Sequence, residues 1–148
     1  MNMKRIGIIG SGSWATAIAK IVSDNGFAIN WWVRQSKHIE YFQKRHHNPQ
    51  YLRNAYFNID LIQFSSDIKE VIKNSDVLVL VIPSIHVESS LGQLSKDIFT
   101  NKKIVSAVKG VLPKRNVLLH QYLEEQFGLP LQQYFTLLGP SHAEEVAS

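Results

Sequence analysis

Residues 4–22, KRIGIIGSGSWATAIAKIV, constrain this chain more than any other stretch. A short, mainly apolar run at residues 5–9 ends on Gly10, and Gly12 follows two positions later. The pattern then changes. Trp14, Ala17, Ile18, Ile21 and Val22 fall at helical spacing. A buried strand therefore turns tightly into an amphipathic helix, with glycines in the turn. That layout suits a loop that binds the pyrophosphate of a dinucleotide. Gly10 permits the tight turn because it has no Cβ to forbid positive φ. Gly12 lets the backbone come close to a phosphate. The N–H groups around Ser13 and Trp14 open a helix, where unpaired donors and the helix dipole favour anions. The third glycine of the G-x-G-x-x-G pattern is Ala15 here. Alanine is tolerated at that position, which serves close helix–strand packing.

The remaining features narrow the class. A chain of 148 residues has the size of one domain. It contains no cysteine, so disulfides and thiolate metal sites are excluded. The longest apolar run, residues 77–82, is far too short to cross a bilayer. Residues 10–13, GSGS, interrupt any secretory apolar segment, and a soluble cytoplasmic protein is the expectation. The net charge of +4 is dispersed, and the densest basic patch, residues 44–47, is small. No nucleic-acid footprint is expected from it. His46 and His47 are adjacent on a loop without a nearby carboxylate, and no metal site is expected there.

Along the chain, Gly26 closes the first helix. Residues 27–34, FAINWWVR, predict a second strand. No acidic residue stands between Asn25 and Ile39, where an NAD-specific site holds the ribose 2′-hydroxyl with a carboxylate. Arg34 ends the strand instead, and a guanidinium there can pair with a 2′-phosphate or stack on adenine. This tilts the expected cofactor toward NADP, or toward use of both forms. Ser36 is expected to cap a helix reaching about Lys44, and Pro49 keeps the following polar loop from being helical. A third strand is expected at residues 61–64, followed by a helix over 67–73 capped by Ser65 or Ser66. Residues 77–82, VLVLVI, read as a central strand buried on both faces. Residues 85–99 are expected to be mostly helical. A strand at 103–108, a helix at 116–127 and a strand at 134–138 complete the series. Six alternations of strand and helix predict an α/β, Rossmann-type doubly wound, mostly parallel sheet, with the first strand near its centre.

In such sheets ligands bind beyond the carboxyl ends of the strands. The groups to inspect are residues 10–14, Arg34, Pro83 and Ser84, Lys109 and Gly110, and residues 139–141. Glycine backbone, hydroxyls, an arginine and a lysine suit phosphate. Lys109 is the strongly charged group toward the middle of that edge, able to neutralise a phosphate or polarise a carbonyl oxygen.

The strings GSGSWATA, NPQYL, VIPS, the Val108-Lys109-Gly110 turn and GPSHAEEV, in this order, resemble the bacterial NAD(P)-dependent glycerol-3-phosphate dehydrogenases. The resemblance runs from Lys4 to the last residue, and GPSHAEEV is its most specific part. It implies reduction of dihydroxyacetone phosphate to sn-glycerol 3-phosphate, at the entry to phospholipid synthesis. It also implies cofactor contacts, beyond the loop glycines Gly10 and Gly12, from Ser13, Trp14, Arg34, with Gln35 beside it, and Ala143. Lys109 would touch both cofactor and substrate, and Gly139 and Ser141 would position substrate. NADP or NAD is the implied cofactor, with no nucleic acid, membrane or metal, and a homodimer for the full-length protein. The family continues into a helical domain that carries the catalytic lysine. Since Ser148 falls within what reads as a helix opening, the chain is expected to be the cofactor-binding domain (residues 1–148) of a longer protein, inactive alone. Two other readings compete: a regulatory domain that senses NAD(H), and a β-hydroxyacid or ketopantoate-type reductase. The first would not need Lys109 or the GPS turn, and GPSHAEEV argues against the second.

Overall fold

The computed structural model describes residues 4–137. Its strands are β1 (Ile6–Ile9), β2 (Ile29–Trp32), β3 (Ile62–Ser65), β4 (Val77–Leu80), β5 (Lys103–Ser106) and β6 (Tyr134–Thr136). They form one sheet in the order β3-β2-β1-β4-β5-β6, with every neighbouring pair parallel. The strand order reverses between β1 and β4, so β1 is central as expected. The register there runs from Ile6 opposite Val77 to Ile9 opposite Leu80.

The helices are α1 (Ser13–Asp24), α2 (Ser36–Arg45), α3 (Ile68–Lys73), α4 (Ser84–Leu91) and α5 (Leu119–Phe127). Strand alternation splits the core into two layers. Ile8, Trp31, Val79 and Val81 face α1 and α2, packing with Ala15, Ile18 and Phe42. Ile9, Trp32, Leu78, Leu80 and Ile82 face the other way, against Val71, Val87, Leu91 and Leu123. A strand buried on both faces has no polar side to show, which is why the 77–82 run is uniformly apolar. Ala15, fully buried in the first layer, fits where the third glycine of the loop pattern would stand.

Several expected elements are corrected. The helix expected over 85–99 stops at Leu91. Beyond it the backbone turns on three-residue bonds: Leu94 N–H to Leu91, Ile98 to Ser95, Thr100 to Asp97 and Lys102 to Phe99. Those turns bury the adjacent Ile98 and Phe99 together in the second layer. The expected caps also move. Gln35, not Ser36, precedes α2, and no side chain caps it. Asp67 caps α3 by accepting from the Lys69 N–H, while Ser65 hydrogen-bonds Glu70 Oε2 at 2.6 Å. The last helix begins at Leu119 rather than 116, after an isolated antiparallel bridge between Leu112 and Val117.

Candidate functional site

The glycine loop joins β1 to α1 at the central seam of the sheet. Gly10 has φ +134°, and a Cβ there would collide with the Val81 carbonyl beyond β4. Glycine is thus demanded twice, by backbone conformation and by the close approach of two strand ends. Gly12 is different. Its φ of −76° suits any residue, and a Cβ built on it meets nothing within 4 Å. Nothing within the described protein calls for glycine at this position.

Three successive loop carbonyls are turned into the protein. Trp31 donates its indole N–H to the Gly10 carbonyl at 2.7 Å. Asn48 donates to the Ser11 carbonyl at 3.2 Å. Thr16 donates its hydroxyl to the Gly12 carbonyl at 2.7 Å, alongside its own backbone N–H. Trp31 is fully buried and held among Phe42, Phe57 and Phe64 at ring separations of 5.1–5.7 Å. With the carbonyls fixed inward, the N–H groups of Ser13, Trp14 and Ala15 open the first turn of α1 with no intrahelical acceptor. Among the described residues they have none elsewhere. The arrangement presents donors and the positive end of a helix dipole to whatever occupies the crevice.

Beside the loop lies a cleft of about 310 Å³. Gly10, Ser11 and Gly12 form one wall, and Pro83 and His86 line it from the β4 side. Arg34, Gln35 and His38 enter from the β2 side, and Gln50 and Tyr51 close it. No carboxylate lines this cleft among the described residues. Arg34 and Gln35 are exposed, and Arg34 makes no ion pair among the described residues. The sequence-predicted group is therefore brought together in part. Gly10, Gly12, Arg34, Gln35 and Pro83 share the cleft, with Ser13 and Trp14 at its helical edge. Lys109 stands exposed three residues past β5, before Gly110 at φ +78°, and is not part of this cleft. Gly139, Ser141 and Ala143 lie outside the described residues.

Reading the sequence missed His38, His86, Gln50 and Tyr51 as cleft residues. Helical spacing carried the signal for the histidines: each is the third residue of a helix that starts at a strand's carboxyl end. Gln50 and Tyr51 belong to the NPQYL string, which the sequence offers only as a family likeness.

A larger depression, about 540 Å³, opens at the opposite, amino edge of the sheet and is lined by Arg5, Asn30, Asp60 and Glu70. Arg5, Asn30 and Glu70 in this lining are already paired, Asn30 to the Asn74 carbonyl and Glu70 to Ser65, while Asp60 and Gln63 have no side-chain partner among the described residues. Asp76 accepts from the Arg5 backbone N–H at 2.9 Å and from its guanidinium at 3.3 Å. These hydrogen bonds from Arg5 hold the Asp76 carboxyl at about 2, below its usual range. Lys102 donates to the Ser75 carbonyl at 2.7 Å, and burial lowers the pKa of its ammonium. Among the described residues no group of three metal-ligating side chains occurs, and no helix is long and apolar enough to cross a membrane.

The family model described as "NAD-dependent glycerol-3-phosphate dehydrogenase N-terminus" matches residues 5–148. The glycerol-3-phosphate dehydrogenase [NAD(P)+] of Agathobacter rectalis is 33% identical over 144 residues, which are 97% of this chain and 42% of that protein. The crystal structure of glycerol-3-phosphate dehydrogenase from Coxiella burnetii superposes with a TM-score of 0.84 at 28% identity, covering 97% of this chain and 43% of that one. The enzyme from Saccharomyces cerevisiae gives 0.82 at 28% identity, covering 99% and 44%. The chain thus spans less than half the length of these relatives. It belongs to the NAD-dependent glycerol-3-phosphate dehydrogenase family and corresponds to that family's N-terminal region.

Proposed function

We propose that this chain is the cofactor-binding domain, over residues 1–148, of a cytoplasmic glycerol-3-phosphate dehydrogenase. That enzyme would use NADP or NAD to reduce dihydroxyacetone phosphate to sn-glycerol 3-phosphate for glycerophospholipid synthesis. The observation that carries the reading is Gly12: among the described residues no atom beyond its own chain neighbours lies within 4 Å of where its Cβ would be. The missing side chain leaves open space in front of the loop, and the open N–H groups of α1 make an anion the fitting occupant.

In this reading Gly10, Gly12, Ser13 and Trp14 hold the pyrophosphate, while Arg34, with Gln35 beside it, meets the adenosine ribose. With Arg34 at the cleft and no carboxylate lining it among the described residues, a 2′-phosphate is favoured there over a 2′-hydroxyl. Bound in this crevice, the nicotinamide supplies a hydride to the substrate's carbonyl carbon. Lys109 stabilises the charge gathering on the carbonyl oxygen. By the family resemblance, Gly139 and Ser141 would position the substrate and Ala143 would contact the cofactor. The catalytic acid–base and the phosphate-binding residues belong to a further helical domain, and the working enzyme is a homodimer.

Gly12→Val tests the reading. Nucleotide titration of the variant should show binding of NADH and NADPH lost, with circular dichroism unchanged. An affinity equal to wild type would sink the assignment.

A further inference from the structure

Asn48 sits in a loop, carries no charge and is only 4% exposed. Its side chain uses every hydrogen-bonding position that it has. Nδ2 donates to the Ser11 carbonyl at 3.2 Å and to Thr16 Oγ1 at 2.9 Å. Oδ1 accepts from the backbone N–H groups of Gln50 at 2.9 Å and Tyr51 at 3.1 Å. One amide thus faces two loops. Its donor end is fixed on the glycine loop and on α1, and its acceptor end is fixed on the segment that brings Gln50 and Tyr51 to the cleft. Both Gln50 and Tyr51 line that cleft together with Ser11 and Gly12.

The wall segment is not in a relaxed conformation. Leu52, the residue after Tyr51, has φ +49°, where a branched side chain crowds its own backbone. Such a residue persists only where its surroundings hold it. Here the Asn48 side-chain Oδ1 holds the two preceding N–H groups, and the Leu52 backbone carbonyl accepts from Ala55 N–H at 2.8 Å. The bond to Thr16 Oγ1 adds a second link, since Thr16 itself donates to the Gly12 carbonyl. Asn48, Thr16 and the carbonyls of Ser11 and Gly12 therefore form one chain of bonds under the loop.

We propose that Asn48 is a positioning residue for the cofactor. It sets the separation between the pyrophosphate loop and the Gln50–Tyr51 wall, and it keeps the loop carbonyls turned away from the anion. The proposal rests on the cofactor reading above. Asparagine suits the task because one planar group supplies two donors and two acceptors at fixed separation. Aspartate keeps the acceptor half only and sets a carboxylate oxygen against the Ser11 carbonyl. Threonine or serine is too short to reach both loops.

Calorimetric titration of the full chain with NADH and with NADPH tests this, using wild type, Asn48→Asp and Thr16→Val. Thr16→Val cuts the same link from the helix side and leaves Asn48 in place. Measurements are made well below each protein's unfolding temperature, so that a role confined to stability leaves affinity untouched. Both variants should bind each nucleotide about tenfold or more weakly, the scale of one buried hydrogen bond lost. Folded variants that bind within about twofold of wild type would overturn the proposal. If Asn48→Asp does not fold, the Thr16→Val titration decides by the same criterion. Wild-type protein that binds neither nucleotide would instead refute the cofactor reading itself.

Discussion

The two ends of the sheet are built from similar material and finished differently. At the amino edge, Arg5 and Asp76 pair, Lys102 and Asn30 bond to Ser75, and the larger depression opens beside them with, among the described residues, no free backbone donors of a helix turned into it. At the carboxyl edge the polar bonds run inward. Trp31, Asn48 and Thr16 bind the loop carbonyls from beneath and leave donors facing out. The smaller cleft is the better candidate site because volume measures space, whereas unpaired donors measure what the space attracts. Glycine shows the same contrast. Gly7 at the amino end is required by Ser75 and Leu78, Gly10 by Val81, and Gly12 by no described protein atom.

The largest expected effect breaks this comparison at the seam. Gly10→Ala should cost about 2–5 kcal/mol in denaturant unfolding, combining backbone strain at φ +134° with a clash against strand backbone. A loss below about 0.5 kcal/mol would mean that the two strand ends separate freely. Next is Lys109, measured in an enzyme that carries this domain together with the rest of the family's length. Lys109→Ala should lower turnover by about a hundredfold with little change in stability. Lys109→Arg should rescue poorly, because a planar fork does not replace a compact ammonium. Turnover within about twofold of wild type in Lys109→Ala would remove it from the site.

Arg34→Ala sharpens the comparison at the cleft's outer end. It should weaken NADPH more than NADH, by roughly 1.5–3 kcal/mol, since only NADPH loses a phosphate contact. Equal losses would show that Arg34 only stacks on adenine or lies free. The smallest effect belongs to the amino edge. Asp76 is held at about 2 in the folded protein, below the ordinary carboxylate value of 3.8. Its contribution is therefore present above the unfolded value and is lost as pH falls from about 4 toward 2. Asp76→Asn should flatten the acid limb of a stability–pH curve slightly and leave nucleotide affinity unchanged. The Arg5 and Asp76 side chains are well exposed, which keeps the effect small.

The sequence exposed the parts of this architecture that local patterning controls. The change from strand to helical spacing at Gly10–Trp14 located the loop, and the unbroken apolar run at 77–82 marked a strand buried on both faces. What stayed hidden depends on contacts between distant residues. Asn48 looks like any loop asparagine until folding brings it against Ser11 and Thr16. The end of α4 was misread because Leu91, Leu94 and Ile98 keep helical spacing across turns that tertiary packing imposes. The serine caps failed because Ser65 found Glu70, and Asp67 was better placed for the α3 N-terminus. Lys109 was legible as a cation after a strand, whereas Gly139, Ser141 and Ala143 rest on likeness of sequence.

The strand order also has a kinetic consequence. Strands β1, β2 and β3 all come from the first 65 residues, and β4, β5 and β6 from the remainder. Among the described residues one strand pairing, Ile6 to Ile9 against Val77 to Leu80, joins the two halves of the sheet. Closing it draws together residues far apart in the chain, and that entropy is lost before the pairing repays it. Each half holds three neighbouring strands, and α3 from the second half also packs with Ile9 and Trp32 of the first, so the halves meet along a joint made of this ladder and the α3 face. The glycine loop stands at the top of the same joint. A dinucleotide lying across it would bridge the halves and slow their separation.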